Sequence, residues 1–124
     1  MKISVNFKGK NNLIDVRKTG FFGKGLGLTF RTKNTENLLF EFSRAVNWQG
    51  NLTSIFVFFP FLTLWLNDKN KVIDFRVVRP FEFCIRQKKK FHKIVEIPLN
   101  DKNKSIIVRF IGKDKYSRYS RRGF

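Results

Sequence analysis

Acidic residues, cysteine, histidine and proline are all scarce in this chain. A single cysteine, Cys84, excludes an intramolecular disulfide and a thiolate cluster for a metal. The single histidine, His92, would have to recruit carboxylates to complete a zinc site. No metal or cofactor is expected. Cys84 and His92 could meet in space as nucleophile and base, but a partly buried cysteine and a surface histidine among lysines is the simpler reading. The nine acids, Asp15, Glu36, Glu41, Asp68, Asp74, Glu82, Glu96, Asp101 and Asp114, are scattered singly, so no carboxylate pair for acid–base work can be read from them. No residue is assigned a catalytic role, and an enzyme has no positive support. Gly20, Gly23, Gly25 and Gly27 fit neither phosphate-loop spacing: Leu28 stands where a dinucleotide fingerprint needs its last glycine, and Gly25 follows Lys24 where a Walker loop needs Ser or Thr.

A membrane-length apolar run is missing too. From Leu52 to Leu66 the chain is almost wholly apolar, but a spanning helix needs about 20 such residues, and Pro60 interrupts this stretch among β-favouring neighbours. Two core strands broken at Pro60 account for it without a transmembrane segment. No basic stretch followed by an apolar run opens the chain, and with one cysteine the expectation is a reduced, intracellular protein of the cytoplasm.

What the chain has in quantity is positive charge and phenylalanine. Lys and Arg number 26 against the 9 acids, a net charge of +17 and a pI near 10.6. Such a surface attracts polyanions, nucleic acid first and an anionic membrane surface second. AT-rich coding raises Lys, Asn, Ile and Phe together, yet it does not explain the shortage of Asp and Glu. With 124 residues, 42 % of them hydrophobic, there is material for one domain and its core.

Period-two alternation runs through most of the chain and predicts strands. It is visible at Ile3, Val5 and Phe7, at Leu13–Val16, at Leu38, Phe40 and Phe42, and at Leu62, Leu64 and Leu66. It recurs at Ile73, Phe75 and Val77, at Phe81, Phe83 and Ile85, at Phe91, Lys93, Val95 and Ile97, and at Ile106, Val108 and Phe110. Ile55 to Phe59 reads as a strand covered on both faces. The string Asn-Asp-Lys-Asn-Lys occurs at 67–71 and again at 100–104, and its turn chemistry predicts two hairpins. The best helix candidate, Thr19 to Thr29, is rich in glycine. The expected fold is mostly β, a small antiparallel β-sandwich or partly closed barrel with at most one short helix. Residues 1–112 form its single domain, and 113–124, with no apolar period, trail as a basic, mobile tail.

Two basic clusters are the candidate binding residues. Arg86, Lys88, Lys89, Lys90 and Lys93 carry five charges in eight residues without an acid. The tail interleaves Arg118, Arg121 and Arg122 with Tyr116 and Tyr119. Lys and Arg release counterions from a phosphate backbone, and aromatic rings stack on unpaired bases. The bland alternatives are a solvated loop and a frayed end, in a small-molecule binder or a structural or assembly protein whose charge serves only solubility. Oligomeric state is not legible.

Several strings follow one another in an ordered series: Gly27-Leu28-Thr29-Phe30-Arg31, Leu38-Leu39-Phe40-Glu41-Phe42, Ser54 to Pro60, Leu64-Trp65-Leu66-Asn67-Asp68, Lys71-Val72-Ile73, Arg79-Pro80-Phe81 and Val95-Glu96-Ile97-Pro98. In order and spacing the series resembles domain-of-unknown-function family 192, also catalogued as uncharacterised protein family 0127, and within it the archaeal branch. The resemblance implies a small, mostly β sandwich with no agreed biochemical activity. Arg31 and Glu96 stand at matching polar positions, as a structural ion pair or as a site. Leu62 stands where members often carry Asp, and Ile55-Phe56-Val57 where bacterial members carry Lys-Asn-Thr.

Overall fold

The structure, a computed structural model, describes residues 1–18, 36–46, 59–79 and 87–122. Seven strands carry most of the regular structure: β1 (Lys2–Phe7), β2 (Lys10–Asp15), β3 (Arg17–Lys18), β4 (Leu38–Val46), β5 (Phe61–Leu66), β6 (Val72–Val78) and β7 (Phe91–Pro98). A 3-10 turn at Asp101–Asn103 then leads into helices α1 (Lys104–Ile111) and α2 (Lys113–Arg122). β1 and β2 form a hairpin, and the rest form a five-stranded sheet in the order β3-β4-β7-β5-β6. All its pairings are antiparallel except the short β3–β4 contact. The mostly β architecture of two sheets is the expected one, and among the described residues no barrel closes.

Alternation decides which side chains meet. In the hairpin, Ile3 and Val5 pair with Ile14 and Asn12 and turn inward, while Leu13 points to solvent. Lys8 and Gly9 close it with φ of 53° and 80°, the left-handed pair that matches the twist of the strands. Ile3, Val5, Ile14 and Val16 then bury one face of the large sheet, Leu39, Leu62, Leu64, Leu66, Val95 and Ile97, together with Ile107, Phe110 and Tyr116 from the helices. The opposite face carries a second cluster around Leu38, Phe40, Phe61, Trp65 and Ile94. β5, in the interior of the sheet, has all six residues buried. Phe91 belongs to this second cluster, and not to the side of Val95 as strict alternation from 91 to 97 would have it. The β4–β7 register shifts between Glu41 and Val46, which breaks the alternation locally.

Three expectations are corrected at the C-terminal end. Ile106, Val108 and Phe110 are not a strand but part of α1, where Ile107 and Phe110, three residues apart, are the buried pair. The second Asn-Asp-Lys-Asn-Lys string is not a hairpin turn but the start of that helical region, with the Asn100 side chain accepting from Asn103 N. The expected tail is α2, so the described residues hold two short helices where at most one was expected. Gly112 joins α1 to α2 at φ 88°, a conformation strained for any side-chain-bearing residue. Its amide caps Val108 O at 2.8 Å and its carbonyl accepts Tyr116 N at 3.1 Å. α2 docks because Tyr116 enters the core and donates its hydroxyl to Asn100 O at 3.0 Å, which a reading by apolar period alone misses. The helix candidate at 19–29, the glycines within it, and the strands expected at 81–85 and over most of 55–59 lie outside the described residues.

Candidate functional site

The basic residues singled out in the sequence fall into two groups spread along β6, the strand at the end of the sheet order. The first group sits beside its start. Gln87 donates to Asp74 Oδ2 at 2.9 Å and accepts the Lys89 amide at 2.9 Å, which holds the 87–90 segment against β6. Lys89 Nζ reaches Ile73 O at 3.3 Å, and Lys93 Nζ bonds Asn70 Oδ1 in the preceding turn. Lys88 and Lys90 are exposed, and His92 is half-buried. The second group, on α2, approaches the other end of β6, where Arg79 lies over the Tyr119 ring at 5.4 Å. Six residue steps of extended chain separate Ile73 from Arg79, roughly 20 Å. The two clusters are therefore ends of a line rather than one patch. Arg118 is exposed, Arg121 and Arg122 are the last two residues of α2, and Arg31 and Arg86 lie outside the described residues. Tyr116 is removed as a stacking group, since it is 5 % exposed and its hydroxyl is engaged.

Between these ends the fold makes a groove that the sequence did not reveal. About 590 Å³ in volume, it is lined by Phe75, Arg76, Val77, Arg79, Ile111, Lys115 and Tyr119. Phe75, Val77 and Arg79 share parity on β6, and Lys115 and Tyr119 are one helical turn apart on α2. The groove thus has an apolar floor, three cations on its walls, and no acid among its described lining residues. A second groove of about 530 Å³ has the same character, with Lys8, Lys10 and Arg109 around Phe7, Asn11 and Asn12. Arg109 is held there by a 2.7 Å bond from its guanidinium to Asn12 Oδ1. A third groove, near the N-terminus, mixes signs: Asp15 and Glu36 lie among Arg17, Lys102 and Arg109, and the Met1 amine pairs with Asp15 at 3.6 Å. Attraction for an anion is strongest where positive side chains converge without a carboxylate in the same described lining. The first two grooves meet that condition better than the third.

Glu96 occupies a different environment. It stands in register with Leu38 on one side and Thr63 on the other, and Arg76 follows Thr63 at the sheet edge. The carboxyl is 3 % exposed, and burial pushes its pKa up to about 8. It is therefore mostly neutral at pH 7. A carboxyl raised on folding binds its proton more tightly in the native state, so its contribution to stability falls as pH rises from about 4.5 to about 8. The neighbouring Thr63 hydroxyl is fully buried without a hydrogen-bond partner. Neither Glu96 nor His92 lines the three grooves.

The fold has recognisable company. No family model matches the sequence, and no curated protein matches it either. Two solved structures share the architecture. A protein of unknown function from Novosphingobium aromaticivorans DSM 12444 matches with a TM-score of 0.66 at 12 % identity, over 86 % of this chain and 78 % of its own. A candidate transcription regulator from Sinorhizobium meliloti 1021 matches with a TM-score of 0.65 at 14 % identity, over 83 % of this chain and 81 % of its own. At such identities the likeness is one of fold alone. Among the described residues, no helix is long and apolar enough to cross a membrane.

Proposed function

We propose that this is a non-enzymatic β domain of the cytoplasm that binds a polyanion, nucleic acid foremost, through the basic groove between β6 and α2. The observation that carries the reading is the convergence of Arg76, Arg79 and Lys115 on one groove with no acid among its described lining residues. The line of cations along β6 extends it: Lys88, Lys89 and Lys90 continue from the strand's start, and Arg118 from the helix. A net charge of +17 supplies the long-range attraction. The ordered motifs that resemble family 192 imply a small, mostly β sandwich with no agreed biochemical activity, and so favour neither this reading nor another. The description of the Sinorhizobium protein as a regulator is compatible with it.

Phosphate contacts release counterions, so affinity for an oligonucleotide should fall by orders of magnitude between about 50 and 300 mM salt. Arg79→Gln combined with Lys115→Gln should weaken binding about tenfold and flatten that slope by about two contacts. Fluorescence anisotropy across a salt series measures both. A flat salt response, or no binding at low salt, overturns the reading. Preferential capture by anionic vesicles in competition with the oligonucleotide would move the partner to a membrane surface.

A further inference from the structure

The two grooves with no acid among their described lining residues are neighbours, and what lies between them is aromatic. Phe75 lines the first and Phe7 the second, and their rings meet edge to face at 5.3 Å. Both pack on Phe110: Phe7 is stacked at 4.3 Å, and Phe75 is tilted at 5.6 Å. Phe110 is buried, whereas Phe7 and Phe75 keep part of their surface in solvent. Lys8 Nζ stands 5.2 Å from the Phe7 ring, and Arg79 lies over Tyr119 on the far side. The order across the surface is cations, aromatic rings, cations.

A duplex offers phosphates to such a surface but keeps its base faces stacked inside. A single strand offers phosphates and base faces together, and rings flanked by Lys and Arg satisfy both. A sulfated polysaccharide would use the cations and leave the rings idle. We propose that the chain binds single-stranded nucleic acid, its backbone running from the Arg79–Lys115 groove to the Lys8–Lys10–Arg109 groove and its bases stacking on Phe7 and Phe75 between them. This rests on the polyanion reading above and adds strandedness and path to it. The rings are placed by three separate elements, since Phe7 ends β1, Phe75 lies in β6 and Phe110 belongs to α1. Phe110 braces the other two from below, which gives the platform the rigidity that stacking needs.

The test compares, on the wild-type protein, a single strand of about 15 nucleotides, its duplex and a heparin fragment of similar charge. At equal salt the single strand should bind about tenfold tighter than either competitor. A 2-aminopurine base within the strand should change its fluorescence on binding as it leaves one stack for another. Phe7→Leu and Phe75→Leu keep apolar volume and should each weaken single-strand binding about fivefold while leaving heparin binding unchanged. Lys8→Gln with Lys10→Gln should weaken all three ligands. Equal affinity for single strand, duplex and heparin, with a silent 2-aminopurine, overturns single-strand recognition and leaves polyanion binding standing. Failure of all three to bind at low salt overturns both. Because the wild-type comparison needs no substitution, a variant that does not fold cannot obscure the answer.

Discussion

The same five residues, Asn-Asp-Lys-Asn-Lys, close a hairpin at 67–71 and open a helix at 100–104. In both copies the leading Asn organises the backbone through its side-chain oxygen. Asn67 Oδ1 accepts from the amides of Lys69 and Lys71, each at 2.9 Å, and Asn100 Oδ1 accepts from Asn103 N at 2.9 Å. Divergence comes at the fourth residue. Asn70 turns left-handed at φ 63°, and Lys71 re-enters a strand beside β1, where Asn6 N bonds Asn70 O at 2.9 Å. Asn103 stays at φ −99°, and its side chain is buried between Asn37 and the Pro98 carbonyl. The following residues set the direction: Val72–Val78 alternate, whereas Lys104–Ile111 place Ile107 and Phe110 on one helical face. Local turn chemistry is thus permissive, and the burial partners of the next element decide what it becomes.

Substitutions at matched positions can sharpen or break this contrast. Asn103→Ala should have the largest effect, about 3 kcal/mol, because it leaves the Pro98 carbonyl and Asn37 buried without their bonds. Chemical denaturation measures it, and a loss no greater than for Asn70→Ala would sink the claim that burial separates the two copies. Tyr116→Phe comes next, at about 1 kcal/mol near neutral pH, since it removes the hydroxyl that ties α2 to Asn100 O. It also carries a pH signature. Burial first, and Asp101 second, raise the Tyr116 phenol above its usual value of 10.0. The neutral form is therefore favoured on folding, and its contribution is lost as pH climbs through the raised value. Alkaline titration followed by near-ultraviolet absorbance and circular dichroism should show α2 loosening in the wild type, and the phenylalanine variant should lack that transition. Asn100→Ala should cost about 1 kcal/mol as a lost cap, against about half that for Asn67→Ala, whose bonds are solvent-exposed. Equal losses would make the strings energetically alike despite their different folds. Asn70→Gly should change stability least. Relief of the left-handed backbone is offset by loss of the Lys93 contact, so a midpoint shift within about 0.5 kcal/mol is expected.

Much of the β framework was legible from period-two patterning along the chain, even though both faces of the large sheet are covered and β5 is buried throughout. β1, β2, β4, β5 and β6 lie where that alternation put them, and β5 follows Pro60 as expected. α1 was not legible as a strand-or-helix choice, since Ile106-Ile107-Val108 is apolar in either period and only the spacing of Ile107 to Phe110 separates the two. α2 was missed because it meets the core through the buried Tyr116 and the half-buried Tyr119, and two tyrosines in a basic segment make too weak a period to report a helix. The grooves were missed for a related reason. Arg79 and Tyr119 are 40 positions apart in the sequence, and Phe7 and Phe110 more than 100. Residues that distant have no shared local pattern. Of the clusters that were visible, Lys88–Lys90 and Arg118 remain on the surface, while Tyr116 was claimed by the core.

By itself the sequence determined the sign of the protein's charge, the material of its core and the period of its strands, because each is a sum or a short-range rhythm along the chain. Tertiary structure alone decided which cations share a groove, which phenylalanines keep a face in water, and which of two identical pentapeptides would be buried. Those outcomes depend on contacts between distant segments, and such contacts exist only once the hairpin and the helices have closed over the sheet.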